Sequence, residues 1–328
     1  MHDAAPTPPI PAPAGWRLFE STLGSVVTLT GAGLHTGRKV TAHLFPRSGQ
    51  GEERGILFRR TGSATGAVTV NFRKKFWLIQ PLCSTLRAPD GTLYRTVEHL
   101  LASLLFCEID HAVVELDEEE VPILDGSANE WLAAIQAAGR VSLPCPKRFI
   151  RITGDCEYRF GERSSYFVEP CDAYRVSMTV QERGFAVQQW SGDLTPAEFA
   201  REVAPSRSYG SVKFGLACMA AGYLLGKPLL RGARLSSVAA IVNKRIVGGA
   251  RFPDEFVRHR VLDICGDFAC SGGPLLGHFR ISQPTHRRNL RFIRYIIRQR
   301  PDIWEWVTFP PSAGETAKPN QKSFHTSV

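Results

Sequence analysis

The sequence has no run of about eighteen consecutive apolar residues, so it lacks a stretch that could cross a bilayer as a single helix. The first fifteen residues, MHDAAPTPPIPAPAG, also lack the basic start and apolar centre of a secretory signal peptide. Their composition predicts a disordered tail over residues 1–15, and the polar final stretch predicts another over residues 308–328. Because 43% of all residues are hydrophobic, the intervening chain can still bury a sizeable core.

None of the eight cysteines belongs to a Cys-x-x-Cys pair, so the spacing typical of a structural zinc knuckle is absent. In a chain of 328 residues without a signal peptide, cysteines are typically reduced thiols, many of them buried. We therefore expect a cytoplasmic protein without a disulfide framework.

Acidic residues are outnumbered, since 31 Asp and Glu stand against 40 Lys and Arg, and the formal net charge is +9. A basic surface suits a nucleic acid, a membrane surface or a phosphorylated small molecule. Much of the charge lies in the final third, as in HRRNLRFIRYIIRQR, where the simplest interpretation is a solvated helix face. The charge alone therefore leaves the partner open.

Strand-like and helix-like patterns alternate up to residue 142. The segment SLPCPKR at residues 142–148 has neither pattern, and both patterns occur again after it. SLPCPKR is typical of a linker, so we expect a first α+β domain at 16–142 and a second at 143–307. Apolar periodicity predicts helices at 95–106, 128–138, 195–203, 253–268 and 286–299. In each half strands come first and helices later, which predicts an α+β fold with two similarly built halves, each a β-sheet with packed helices, and a site between them.

The segment FPDEFVRHRVLDICGDF, residues 252–268, carries two lines of side chains at helical spacing. One line is apolar. The other consists of His259, Asp263 and Asp267, each four residues from the next and so on one helix face. An imidazole and a carboxylate so placed can hold one metal ion, because both project from the same side of a rigid rod. Taken alone, the segment is also compatible with an exposed pair that merely supports the helix.

The segment TVEHLLASLL, residues 96–105, places Glu98 beside His99 at the start of a predicted helix. A zinc hydrolase needs a metal ligand and a nearby general base, and an adjacent Glu-His pair can supply both. An isolated pair of this kind is more often an exposed helical pair. Together with the other segment, however, His99, His259 and Asp263 give three ligands with an open fourth position, which is typical of catalytic zinc.

His286 lies in SQPTHRRNL, near the start of the predicted basic helix. A lone histidine at such a position is more often a surface residue. To act as an acid it would need a carboxylate partner, and Asp267 on the metal-facing line is the candidate.

Six segments, in this order, resemble motifs of the UDP-3-O-acyl-N-acetylglucosamine deacetylase family of lipid A biosynthesis: GAGLHTG, CSTL, TVEHLLASL, VPILDGSA, PSRSYG and DEFVRHRVLDICGD. The resemblance extends over about residues 18–300, and TVEH together with VRH-x3-D is its most specific part. It implies an active site between the two halves. It also implies a zinc-dependent hydrolase that removes the N-acetyl group from a UDP-linked acylated amino sugar and releases acetate.

The resemblance implies that Zn²⁺ is held by His99, His259 and Asp263, with Glu98 as the general base.

It further implies that Ser208, in PSRSYG, helps to bind the oxyanion, and that His286 is a protonated partner oriented by Asp267. His35 would lie near the site, where a second, inhibitory zinc can bind in the family. We therefore count His35 among the substrate-binding positions.

The sequence departs from the family pattern where the family contacts its substrate. Arg260 replaces a lysine after the metal histidine, and Tyr209 replaces a phenylalanine in PSRSYG. Further departures are Gln283 for a lysine, Thr285 for a glycine, and Arg288-Asn289 for an asparagine pair. Since a helix turns about 100° per residue, we expect Arg260 to point away from the His259 direction, although its long side chain can curl back.

The segment Lys213–Gly249 differs in length and composition from the family's insert, which forms an apolar passage for the acyl chain. We expect Phe214–Leu225, with Val238–Val242, to line or flank such a passage. Ordinary core packing is the alternative.

Three hypotheses follow: a zinc deacetylase of the acylated UDP-sugar, a paralogue acting on a different N-acyl sugar, and a non-catalytic binding protein for nucleic acid or anionic lipid. The first is favoured, because a binding protein has no need of Glu98 beside a ligand set. For it we expect no nucleic-acid partner, a monomer, and peripheral contact with the inner membrane surface.

Overall fold

The structure, a computed structural model, describes residues 11–51, 54–63, 65–70, 77–79 and 82–310. Most of the two predicted tails, residues 1–10 and 311–328, lies outside the described residues. Phe309 is buried against Phe149, with ring centroids 5.4 Å apart, so the packed chain extends at least to Phe309.

Strands and helices are both numerous among the described residues. The strands of the first half are β1 (Phe19–Leu23), β2 (Val27–Ala32), β3 (Lys39–Pro46), β4 (Ile56–Arg60), β5 (Val68–Thr69), β6 (Trp77–Ile79), β7 (Ser84–Arg87), β8 (Leu93–Arg95), β9 (Ala112–Leu116) and β10 (Arg140–Pro146). Those that follow are β11 (Phe149–Ile152), β12 (Cys156–Arg159), β13 (Ser165–Glu169), β14 (Tyr174–Val180), β15 (Gln188–Asp193), β16 (Tyr209–Ser211), β17 (Ala239–Val242), β18 (Arg245–Ile246), β19 (Leu275–Ser282) and β20 (Trp304–Val307). The helices are α1 (Glu98–Phe106), α2 (Asn129–Ala138), α3 (Pro196–Glu198, continued by a π-helical turn at Phe199–Val203), α4 (Val212–Leu224), α5 (Glu255–Ala269) and α6 (His286–Gln299), with a 3₁₀ turn at Pro301–Ile303.

The strands form several sheets, and the α+β prediction is confirmed. A five-stranded sheet has the order β2-β3-β9-β4-β5, and a seven-stranded sheet contains β12-β13-β19-β11-β20, with β14 beside β19 and β15 beside β14. Three smaller sheets are β1-β10, β6-β7-β8 and β16-β17-β18. The two large sheets use strands from before and after residue 143 respectively, but the similarity of the two halves stays a prediction.

The linker prediction for residues 142–148 is wrong for most of that segment. Strand β10 pairs antiparallel with β1, so that Ser142 lies opposite Ser21 and Pro146 opposite Phe19. Proline and serine weaken the local strand signal, yet a proline is tolerated at the end of an edge strand, and long-range pairing decides the conformation. The expected boundary between residues 142 and 143 falls inside β10, and the domain division itself stays a prediction.

The long predicted helices are present with small shifts at their ends. Helix α1 begins at Glu98 rather than near residue 95, because Thr96 adopts a left-handed backbone conformation (φ 56°) that a helix cannot include. Helix α6 begins at His286, directly after Thr285, whose side chain caps it by accepting a hydrogen bond from the Arg288 amide. Within the described part of the chain, no helix has both the length and the apolar character needed to span a bilayer.

Helices α1 and α5 approach each other closely at Gly266. A Cβ atom built on Gly266 would lie 1.9 Å from the carbonyl oxygen of Glu98 and 2.5 Å from its carbonyl carbon. Only glycine therefore allows α5 to pass the first residue of α1 at this distance. This contact brings the beginning of α1 against the polar face of α5.

Replacing Gly266 with alanine should lower the free energy of unfolding by about 1–3 kcal/mol, because the backbone of α1 must move to admit the methyl group. Chemical denaturation measures the change. The matched control is Gly215→Ala in α4, where an added Cβ meets no atom within 4 Å. This substitution should raise the free energy of unfolding by about 0.5–1 kcal/mol. Equal stability of the two variants would contradict the close contact.

Candidate active site

Two helices supply most of the polar side chains of the site. Glu98 and His99 are the first two residues of α1, while His259, Asp263 and Asp267 succeed one another along one face of α5. All five side chains are buried. Because the helices touch at Gly266, residues about 160 positions apart in sequence become neighbours.

His99, His259 and Asp263 form a group that could hold a metal ion, since one ligand atom from each lies within 4.8 Å of the others. Asp263 Oδ1 lies 3.6 Å from His99 Nε2 and 3.4 Å from His259 Nε2. The two imidazole rings are nearly perpendicular, with centroids 5.2 Å apart. The three side chains that the sequence suggested as ligands thus converge on one point.

The donor atoms fit a zinc ion. His259 Nδ1 lies 3.2 Å from the Ser206 carbonyl, an acceptor, so Nδ1 carries the proton and the lone pair of Nε2 faces Asp263. Burial lowers the pKa of His259 to about 4 against the opposing effect of Asp263, which keeps the imidazole neutral. Asp263 Oδ1 and His99 Nδ1 are buried without a hydrogen-bond partner. An unpartnered carboxylate oxygen between two imidazoles is a costly arrangement that a cation would stabilise.

Glu98 is held so that one of its oxygens faces the site. Its Oε2 accepts a hydrogen bond from the Ser84 amide at 3.0 Å, while Oε1 lies 3.6 Å from His286 Nε2. Burial raises the pKa of Glu98 to about 8, against the opposing effect of the His286 charge. A carboxyl group with a pKa near neutrality is suited to exchanging protons.

His286 is fixed from behind by Asp267, as the sequence suggested. Its Nδ1 donates to Asp267 Oδ2 at 3.1 Å, which leaves Nε2 directed toward Glu98 and Asp263. Burial opposes the cationic form, but the three carboxylates outweigh it and raise the pKa of His286 well above its usual value. The raised pKa favours the imidazolium form of His286, in which the Nε2–H points into the site.

Asp267 is itself held by two residues that the sequence analysis did not identify as functional. Asn289 Nδ2 donates to Asp267 Oδ2 at 2.7 Å, and the Ser84 hydroxyl donates to Asp267 Oδ1. Ser84 belongs to CSTL, a segment used only for the family resemblance, so its position was noted without its role. Tyr166 in turn donates to Asn289 Oδ1 at 2.5 Å, which completes a buried network behind His286.

The expectation that Arg260 points away from the metal group is wrong. Arg260 donates to Asp263 Oδ2 at 3.0 Å and, through Nε, to the Tyr209 hydroxyl at 2.9 Å. Positions 260 and 263 are three residues apart and so adjacent on the helix, which lets the long side chain turn toward the buried carboxylate. The Tyr209 hydroxyl donates to Glu182 at 2.7 Å, and Glu182 is another residue that the sequence analysis missed.

These groups open into a cavity of about 520 Å³, a size typical of small-molecule sites. Its polar wall includes Glu98, His99, Ser208, Tyr209, His259, Arg260, Asp263 and His286. Its apolar wall includes Phe214, Leu216 and Met219 from the first part of α4, with Val238 and Ala240. Residues 220–225, which the sequence also placed beside a channel, are not among the lining residues.

His35 lies behind the wall rather than in it. Its neighbour Leu34 lines the cavity, whereas His35 is buried and is not among the lining residues. The Nδ1 atom of His35 accepts a hydrogen bond from the Leu230 amide at 3.4 Å, and its Nε2 atom has no hydrogen-bond partner. Burial lowers the pKa of His35 despite the nearby Glu120 and Glu98 carboxylates, so the ring is neutral. Its contact with substrate or a second zinc stays a prediction.

The chain is similar to proteins of one family over most of its length. The family model described as "LpxC: UDP-3-O-acyl N-acetylglycosamine deacetylase" matches residues 20–298. A protein of Vibrio parahaemolyticus named UDP-3-O-acyl-N-acetylglucosamine deacetylase is 33% identical over 312 residues, which cover 92% of this chain and 98% of that protein. A protein of the same name from Cellvibrio japonicus is 32% identical over 299 residues, covering 89% of this chain and 94% of that protein.

Replacing Asp267 with asparagine should lower the pKa of His286, because the nearest charge that stabilises the imidazolium is removed. NMR titration of the His286 ring signals in metal-free protein measures the change. Asp193→Asn removes a carboxylate that pairs with Arg175 at the surface and should leave the His286 titration unchanged. If the Asp267 variant kept its fold and titrated like the parent, Asp267 would not be what holds the proton on His286.

Proposed function

Because the chain belongs to the UDP-3-O-acyl-N-acetylglucosamine deacetylase family, we propose that it hydrolyses the N-acetyl group of UDP-3-O-acyl-N-acetylglucosamine. The products are acetate and UDP-3-O-acyl-glucosamine. The observation that carries this proposal is the buried convergence of Glu98 with His99, His259 and Asp263 at one end of a cavity. A general base beside three metal-ligand side chains is the constellation that zinc-dependent amide hydrolysis uses.

His99, His259 and Asp263 are the residues that would hold zinc, two through imidazole nitrogen and one through a carboxylate oxygen. When bound, the ion supplies Lewis acidity for the acetamide carbonyl and the attacking water, and a positive charge that favours the ionised form of Glu98. Arg260 donates to the second oxygen of Asp263, which leaves Oδ1 directed toward the two imidazoles.

Glu98 is the proposed general base. Ser84 fixes Oε2, so Oε1 is the atom that takes a proton from the attacking water. The apolar surroundings that raise its pKa also make it a stronger base once it is ionised. After the attack, Glu98 holds the proton that the leaving amine needs.

His286 and Ser208 are proposed to stabilise the oxyanion of the tetrahedral intermediate. The Nε2–H of His286 points into the cavity with its charge maintained by Asp267, so no reorganisation is needed as negative charge develops. Ser208 lines the same cavity, and its position is set by main-chain bonds with Gly126 and Ala239. Either His286 or protonated Glu98 then delivers the proton to the amine.

The apolar wall of the cavity is proposed to receive the acyl chain. Phe214, Leu216 and Met219 extend along α4 from the polar end, so an acyl group on the sugar can lie against them while the acetamide reaches Glu98. Basic residues near the cavity, among them Arg234, would meet the diphosphate. We further propose that the enzyme acts in lipid A biosynthesis, as a cytoplasmic monomer.

A paralogous activity on a different N-acyl sugar is the second candidate. It is favoured by the mutual engagement of Arg260, Tyr209 and Glu182, since Arg260 and Tyr209 stand where the resemblance places substrate-contacting lysine and phenylalanine. A guanidinium bound to Asp263 and stacked 5.0 Å above the Tyr209 ring is less free to bind substrate than a lysine would be.

The test is acetate release by zinc-loaded protein from the acylated UDP-sugar, with UDP-N-acetylglucosamine and unrelated N-acetyl sugars in parallel. We expect the acylated UDP-sugar to have the highest kcat/KM. Glu98→Gln, which retains an acceptor for the Ser84 amide, should reduce kcat by about 10²–10⁴ while the zinc content stays at one per chain.

The matched control is Glu130→Gln, which alters an exposed carboxylate in the first turn of α2 and should leave kcat unchanged. Near-normal turnover in zinc-loaded Glu98→Gln protein would exclude the base assignment. A higher kcat/KM for another N-acetyl sugar would favour the paralogous activity.

A further inference from the structure

The end of helix α4 exposes large apolar side chains that the cavity does not use. Tyr223 is 81% exposed, Leu224 83% and Leu225 65%. They are absent from the cavity wall, which uses the earlier part of the helix. Single exposed apolar residues are ordinary, but three in succession on a protruding helix end are not. We call the segment Tyr223–Lys227 the α4 tip.

Helix α4 as a whole is apolar on every side. Its sequence, VKFGLACMAAGYL, contains one charged residue, Lys213, and among its residues only Gly222 is buried. A helix without a polar face normally lies inside a protein core or against a membrane. Helix α4 has thirteen residues, too few to span a bilayer, and the described residues leave most of it exposed, so one of its sides is available to another apolar partner.

The sequence on either side of α4 contains no acidic residue over about fifty positions. Between Glu202 and Asp254 the sequence has eight basic residues and no aspartate or glutamate. Two of the eight form salt bridges within the protein, Arg207 with Glu255 and Arg251 with Asp125.

The other six basic side chains are exposed, and within the described part of the chain none of them forms an ion pair. They are Lys213, Lys227, Arg231, Arg234, Lys244 and Arg245. Exposed apolar side chains bordered by unpaired cations supply the two contributions to peripheral membrane binding, which are buried apolar area and attraction to anionic lipid. The charge complements an anionic lipid surface, where each lysine or arginine gains attraction.

The positive charge around α4 also distinguishes between the possible partners of its exposed surface. In a symmetric dimer built on the α4 tip, the same patch would face itself and bring cations against cations. A nucleic acid would match the charge, but its phosphates would leave Leu224 and Leu225 without an apolar partner. A bilayer offers both an anionic surface and an apolar layer beneath it.

We propose that α4 is a peripheral docking element for an anionic phospholipid bilayer. Tyr223, Leu224 and Leu225 enter the boundary between headgroups and acyl chains, while Lys213 and Lys227 remain at the level of the lipid phosphates. The proposal concerns the outer side of α4 and does not depend on the reaction at the site.

The test is cosedimentation of the full chain with vesicles of phosphatidylcholine alone and with vesicles containing about a third phosphatidylglycerol. We expect binding to the anionic vesicles that is more than about tenfold stronger than to the neutral ones and that weakens with added salt. Absence of binding to the anionic vesicles would overturn the proposal.

Two double variants separate the apolar and electrostatic parts. Leu224→Glu with Leu225→Glu should reduce the partition coefficient by more than about tenfold. Lys213→Gln with Lys227→Gln should reduce it by about fivefold for each lysine on anionic vesicles only. Both sets of side chains are exposed, so thermal unfolding should match the parent.

The matched control is Val26→Glu with Val187→Glu, which makes the same charge change at apolar residues 49% and 51% exposed elsewhere. It should bind vesicles like the parent apart from a small general effect of charge. Equal loss in this control would overturn the assignment to α4. So would self-association of the parent chain that the leucine variant abolishes, since the α4 tip would then be a contact between copies.

Discussion

The contact between α1 and α5 at Gly266 is the constraint on which the site depends. Each helix alone carries an incomplete set of groups: α1 offers Glu98 and His99, and α5 offers His259 and Asp263. The glycine lets the α1 backbone approach so closely that all four side chains face one volume. Helix positions are more rigid than loops, so the relative placement of the proposed base and the proposed ligands follows from the packing of two helices.

Burial of so many ionisable groups is costly, and the structure shows how each is compensated. Asp267 accepts hydrogen bonds from Ser84, His286 and Asn289. Asp263 faces Arg260 with one oxygen and the two imidazoles with the other. Glu98 is the least compensated carboxyl, since it has one amide donor and a distant imidazolium, and its pKa is accordingly raised to about 8. Glu98, whose pKa lies near neutrality, is thus the group that the proposed reaction requires to change its protonation state.

Local periodicity was enough to predict which side chains share one face of α5. It was not enough to predict which residues pack against that face. The spacing of His259, Asp263 and Asp267 follows from helix geometry alone, and the structure has all three on one face. Joining them to Glu98 and His99 rested on the chemistry of a zinc hydrolase, because the contact at Gly266 leaves no local pattern. Ser84 was missed as a partner of Asp267 since the two are 183 residues apart in the chain. The predictions for residues 142–146 and for Arg260 were wrong for a similar reason, since a distant partner outweighed the local preference. Residues 142–146 pair with strand β1, and Arg260 turns toward the buried carboxylate of Asp263.

The two ends of helix α4 differ in their surroundings. The beginning of α4 lines the cavity, and its end is exposed. The central claim is that the α1–α5 contact creates one zinc position served by Glu98. Anomalous diffraction at the zinc absorption edge from crystals of the zinc-loaded chain tests it most directly. The account predicts a single strong peak about 2.0–2.2 Å from the ligand atoms of His99, His259 and Asp263. A zinc-loaded crystal with no peak there, or with its strongest peak on other side chains, would contradict it.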